Sequence, residues 1–160
     1  MMAMISLGMQ IEAWRSINDC VMGGRSEGGM VQTAEGLKFE GNLSLENNGG
    51  FSSVRRDVEQ DVSGTNRVGL EIRGDGRDYQ FRIRQDTRFD GIAWRASFPS
   101  KDAWARIEIS LLDFVPVFRG RVVDKAGPVV TSRIQQIGFL LADKHAGPFE
   151  LEIRHIEFFG

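Results

Sequence analysis

Residues 37–45 read LKFEGNLSL. Leu37, Phe39, Leu43 and Leu45 fall on one side of a two-residue period, with Lys38, Glu40, Asn42 and Ser44 on the other. Extended chain sends successive side chains to opposite faces, so the stretch predicts a strand with one buried face. The same reading extends outward. RVGLEIRG (67–74) turns Val68, Leu70 and Ile72 inward. DYQFRIRQ (78–85) sets Tyr79, Phe81 and Ile83 against Gln80, Arg82 and Arg84. GIAWRASF (91–98) sets Ile92, Trp94, Ala96 and Phe98 against Ala93, Arg95 and Ser97. ARIEISL (105–111) sets Ala105, Ile107, Ile109 and Leu111 against Arg106, Glu108 and Ser110, and QQIGFLLAD (135–143) and FELEIRHIEFF (149–159) supply two more strands.

Turn chemistry separates these runs. ENNGG (46–50), RGDGRD (73–78) and KHAGP (144–148) supply Gly, Asn, Asp and Pro where the chain must reverse. No window of helical length carries an apolar stripe; SLLDFVPVF (110–118) has room for one turn before Pro116. Short strands between regular turns predict an all-β protein, a sandwich or barrel. The 160 residues suit one domain, read here as residues 12–160 behind an extension of residues 1–11.

Composition narrows the function classes. Hydrophobic residues make up 41% and charged residues 26%, with a net charge of -2, so no overall field draws nucleic acid or anionic membrane. One cysteine, Cys20, forms no internal disulfide, and with His145 and His155 it falls short of a thiolate and imidazole metal site. No cofactor or metal is expected. The start, MMAMISLGMQIEAW, lacks the basic residues of a secretory or transit leader, and no run is long enough to span a bilayer. A cytoplasmic location is expected.

Residues 18–29, NDCVMGGRSEGG, hold four glycines beside Asn18, Asp19, Cys20, Arg25 and Ser26. A phosphate loop needs a helix after the glycines, and here a strand pattern follows. Two oxygen side chains are too few for a calcium loop. Cys20 has no base beside it, and no Gly-x-Ser-x-Gly surrounds Ser26. Asp75 and Asp78 sit in a glycine-rich turn, a poor place for an acid and base pair. No catalytic constellation emerges. Gly23, Gly24, Gly28 and Gly29 are expected to supply positive φ angles in a loop that crosses another backbone closely.

The words around those glycines are distinctive. Trp14, Asn18, Asp19, Val21, Met22, Gly23, Gly24, Arg25 and Ser26 follow in order the opening motif of the complex I intermediate-associated protein 30 family, which this segment resembles. GGFSSVRRD (49–57), VGLEIRGDGRDYQFRIR (68–84), FVPVFRGR (114–121) and IQQIGFLLADKHAGPFELEI (134–153) resemble its second block, central hairpin, Phe-x-Pro-x-Phe segment and closing blocks. The resemblance implies a jelly roll of the galactose-binding-domain-like type. It also implies a non-catalytic module that docks a protein partner in assembly of a larger, respiratory complex. The alternative is a carbohydrate or small-anion binding module. Arg82, Arg84 and Arg95 project from the outer faces of their strands, and with Asn18, Asp19, Arg25 and Ser26 they are the candidate contacts for a ligand or partner. Arg106 is read with the same arginine group. A solvated outer face fits the same pattern. Trp14 and Trp94 are expected in the core and Trp104 partly exposed.

Overall fold

The computed structural model describes residues 3–19 and 23–160. Cys20, Val21 and Met22, singled out above, lie outside the described residues. The strands are β1 (Met4–Ser6), β2 (Trp14–Asn18), β3 (Glu27–Gln32), β4 (Leu37–Leu43), β5 (Ser52–Asp57), β6 (Arg67–Gly74) and β7 (Asp78–Arg84). They continue as β8 (Ala93–Pro99), β9 (Ala105–Ser110), β10 (Val115–Phe118), β11 (Arg121–Val122), β12 (Gln136–Leu141) and β13 (Gly147–Phe159). The remaining regular structure is short 3-10 turns, one of them at Leu111–Asp113 just ahead of Pro116.

Two antiparallel sheets face each other as a jelly-roll sandwich. One runs β3-β4-β13-β6-β9, with β1 also paired to β13; the other runs β11-β10-β8-β7-β12-β5-β2. The long strand β13 takes β4 along its first half and β1 along its second, with a register shift between Ile153 and His155. Met4–Ser6, in the segment read as an extension, therefore forms a strand of the first sheet.

The alternation read from the sequence builds the core. Phe39, Tyr79, Phe81, Phe139 and Phe158 are fully buried, and Phe39, Tyr79, Phe98 and Phe149 pack ring against ring between the sheets. Each such phenyl ring, fully buried, contributes about 2–3 kcal/mol of apolar transfer free energy. Trp94 is buried, and Trp14 lies partly buried against the core beside Phe139. Trp104 is partly exposed and stacks under Arg73 and Arg154.

Leu45 and Ala105, read as inward-facing, are exposed, Leu45 because β4 ends at Leu43. Two further expectations change. The segment that resembles a central hairpin is not one: β6 and β7 lie in different sheets, and residues 74–77 form a corner between them. The corner is held by its own polar groups. The Tyr79 hydroxyl donates to Asp75 at 3.1 Å, and Arg77 donates to Asp143 and to the carbonyl of His145. The glycines also differ. Only Gly23 of the four has positive φ, at 86°. Gly24 and Gly28 are needed for space, because a Cβ there would strike the Asp19 carboxylate and the Ser52 hydroxyl respectively.

Candidate functional site

The outer face of the seven-stranded sheet carries an unusual cross-strand row. Arg15 on β2 stands opposite Arg55 on β5, Arg55 opposite Gly138 on β12, Gly138 opposite Arg82 on β7, and Arg82 opposite Arg95 on β8. Directly opposed residues share a face, so four arginines and one glycine line up across five strands. Like charges placed opposite each other destabilise a sheet. Two such pairs, Arg15 with Arg55 and Arg82 with Arg95, occur here in a chain whose net charge is -2.

The opposite sheet shows what ordinary charge placement looks like. On its outer face Lys38 pairs with Glu40, Arg73 with Glu152, Arg106 with Glu108 and Glu157, and Arg154 with Glu71. Arg106 therefore belongs to that laced surface and not with Arg82, Arg84 and Arg95. Among the described residues no carboxylate forms an ion pair with Arg55, Arg82, Arg84 or Arg95. Arg55 donates to the carbonyl of Phe89 at 2.9 Å, Arg82 to the amide oxygen of Gln80, and Arg84 to the carbonyl of Gly91 at 3.0 Å.

These arginines floor a groove of about 650 Å³. Its apolar walls include Ile17, Phe51, Phe89, Val117 and Leu140. At its mouth the two-residue hairpin at Arg119 and Gly120, both at positive φ, holds Arg119 against Asp90 at 2.6 Å. Burial first, then the charge of Arg84, pushes the Arg55 guanidinium down to about 10. Burial, then Arg84 and Arg95, pushes Arg82 down to about 10. Arg84 itself is only 7% exposed. The arrangement offers planar donors to an oxyanion beside apolar surface.

The loop motif sits elsewhere and is built differently. Asp19 is fully buried. Its carboxylate accepts from the Ser26 backbone N–H at 2.8 Å, the Ser26 hydroxyl at 2.7 Å, and the backbone N–H groups of Gly50 and Phe51 at 2.6 and 3.3 Å. The Ser26 hydroxyl in turn accepts from the Ser44 N–H at 2.9 Å. Burial pushes the Asp19 carboxyl up, but these donors outweigh it and leave it below the usual carboxylate range. Asn18 donates to the Gly28 carbonyl and accepts from Ser52. Asp19, Ser26 and Asn18 thus clasp β2, β3 and residues 44–52 together. Arg25 points outward and meets Glu46 at 3.5 Å.

Arg55, Gly138 and Phe89 were not among the residues picked from the sequence. The signal for Arg55 was present in SSVRRD (52–57), where Val54 faces in and Ser53, Arg55 and Asp57 face out. It is weak because Arg56, on the inward side, is itself charged; burial brings it to the carbonyl of Gly8 at 2.6 Å. Gly138 becomes notable only through the register that sets Arg55 and Arg82 on either side of it.

The family profile for Complex I intermediate-associated protein 30 matches residues 6–153. The chain belongs to that family. It is 31% identical to the mitochondrial Complex I intermediate-associated protein 30 of Mus musculus, over 93% of this chain and 52% of the mouse protein. To the Drosophila melanogaster protein of the same name it is 29% identical, over 65% of this chain and 38% of that protein. The chain therefore spans about half the length of its mouse relative. In fold it is similar to the family 11 carbohydrate-binding module of Clostridium thermocellum solved with a β-1,3-1,4-mixed-linked tetrasaccharide. That match has a TM-score of 0.69 and 18% identity, and it covers 97% of this chain and 94% of the module. A xylan-binding module is similar at a TM-score of 0.56 and 10% identity, covering 98% and 95%. This chain thus shares the sandwich of these modules. This member's groove floor has neither Trp nor Tyr among its described lining residues and presents arginines instead. Among the described residues no helix is long and apolar enough to cross a membrane.

Proposed function

We propose that this chain is a non-catalytic binding module that docks a protein partner in the assembly of a larger complex. A respiratory complex fits the family's name. The observation that carries the reading is the row of arginines on an open sheet face, opposed in like-charged pairs; Arg15 at its end meets Asp57 at 3.5 Å, while Arg55, Arg82 and Arg95 have no ion-pair partner among the described residues. Such a row carries a local cost in the free protein and is relieved when an acidic surface covers it. Arg82, Arg84 and Arg95 have the contact role in this reading, and Arg55 joins them. Asn18, Asp19 and Ser26 serve by holding the loop that flanks the sheet edge, with Arg25 exposed on it. The cytoplasmic location expected from the sequence belongs to the same reading. The test compares proteins cross-linked to the wild-type chain and to the folded Arg82→Glu/Arg95→Glu variant in extracts of the native cells. One identified protein, captured by the wild type and lost in the variant, is the expected result. An identical capture profile from both sinks the reading.

A second reading, a carbohydrate or small-anion binding module, is supported by the groove's volume and by the modules that share the fold. Titration with the mixed-linked tetrasaccharide, followed by tryptophan fluorescence and calorimetry, tests the carbohydrate half of it; heat without saturation counts against that half.

A further inference from the structure

The geometry points to a phosphoryl-binding subsite on the groove floor, formed by Arg55, Arg82 and Arg84 around Gly138. It rests on the second reading, that the groove takes a small ligand, and not on the assembly role. The three guanidinium groups lie within Coulombic reach of one another: Arg55 feels Arg84 and Arg82, and Arg82 feels Arg84. The acid beside them, Asp90, is taken up by Arg119 at 2.6 Å. Asp90 and Asp86 act on Arg55 and Arg84 only from beyond ion-pair distance, so among the described residues none of the three guanidinium groups has a carboxylate in direct contact.

Shape agrees with charge. Because Gly138 has no side chain, the face between Arg55 and Arg82 holds a pit of about 10 Å³, lined by Arg55, Arg82, Arg84, Gly138 and Ser53. A space of that size admits roughly one oxygen-sized centre. It opens into the larger groove, where Ile17, Phe51, Val117 and Leu140 leave room for the body of an ester. A phosphate monoester carries about two negative charges and three acceptor oxygens, against one charge and two oxygens for a carboxylate. Three planar donors around one pit suit the former, since guanidinium and phosphate pair through two parallel hydrogen bonds.

The test is thermal unfolding and calorimetry of the full chain at fixed ionic strength, with sodium chloride as the reference. The probes are inorganic phosphate, glucose 6-phosphate and vesicles containing phosphatidic acid, which separate a free anion, a sugar phosphate and a lipid headgroup as the source. At least one gives saturable binding, and Arg82→Gln and Arg55→Gln each weaken it about tenfold or more. Both variants unfold at or above the wild-type temperature without ligand, which separates lost binding from lost fold. Arg82→Lys, which keeps the charge and loses the planar fork, falls between. Binding of none of the three probes overturns the inference, as does binding that Arg82→Gln leaves unchanged. Saturable binding of the mixed-linked tetrasaccharide without any phosphate response overturns the inference and leaves the second reading standing.

Discussion

The carboxylate of Asp19 receives both the backbone N–H and the hydroxyl of Ser26, at 2.8 and 2.7 Å, in a fully buried position. Two residues seven apart in sequence are thereby locked, and the same carboxylate also holds the backbone N–H groups of Gly50 and Phe51. Replacing Asp19 by Asn keeps the size and turns one acceptor into a donor facing donors. Asp19→Asn should lower unfolding stability by about 3 kcal/mol. Urea denaturation of the variant and the wild type measures it; a loss below about 1 kcal/mol would remove the clasp from the account.

Acid should weaken the same clasp. Asp19 is held below the ordinary carboxylate range in the folded chain. For Glu157, burial pushes its carboxyl up, but hydrogen bonds from Arg106 and His155 bring it below that range. A carboxyl depressed on folding binds its proton more readily in the unfolded state. Its stabilisation is thus complete above the unfolded pKa, near pH 4, and disappears as the pH falls through the folded value. The urea midpoint should drop between about pH 6 and pH 3, and the drop should be shallower in Asp19→Asn.

The glycines of the loop separate two kinds of constraint. Gly23, at φ 86°, has open space around it, so Gly23→Ala costs only the backbone term, about 1–2 kcal/mol. At Gly24 a Cβ meets the Asp19 carboxylate, which its four donors hold in place. Gly24→Ala should therefore be the more destabilising of the two. Thermal melts of the pair decide it, and the reverse order would show that the carboxylate gives way.

The arginine row predicts a salt response. Arg82 faces Arg95 across one register position, and neither has an ion-pair partner among the described residues. Removing one of two opposed like charges should stabilise the sheet by up to about 1 kcal/mol at low salt. The gain of Arg82→Gln over the wild type should shrink as sodium chloride is raised and the repulsion is screened. Melting temperatures of both proteins across a salt series give the answer; a variant less stable at every salt concentration would show that the stem of Arg82 matters more than its charge.

Much of this protein was legible in one dimension. The runs at 37–45, 67–74, 78–85 and 135–143 each became a strand, and most of their apolar members became the core, because alternation and burial on one face are the same constraint; Leu45, past the end of β4, is exposed, and Leu140 lines the outer groove. The opening motif sufficed to suggest the family. β2 and β5 were harder to read because polar or charged residues occur on both of their faces, and β10 because Pro116, which reads as a stop, lies inside it opposite Trp94.

What the sequence could not hold is which residues meet. Arg15, Arg55, Arg82 and Arg95 come from four strands, and only antiparallel register places them in one row with Gly138 between. The sheet assignment is likewise a long-range matter. It sends Arg106 to the other face of the sandwich, where Glu108 and Glu157 pair with it, and turns residues 74–77 from a hairpin into a corner. Local pattern determines which side of a strand is buried; charge balance across a sheet depends on partners brought together from distant parts of the chain, and these exist only once the sandwich has closed.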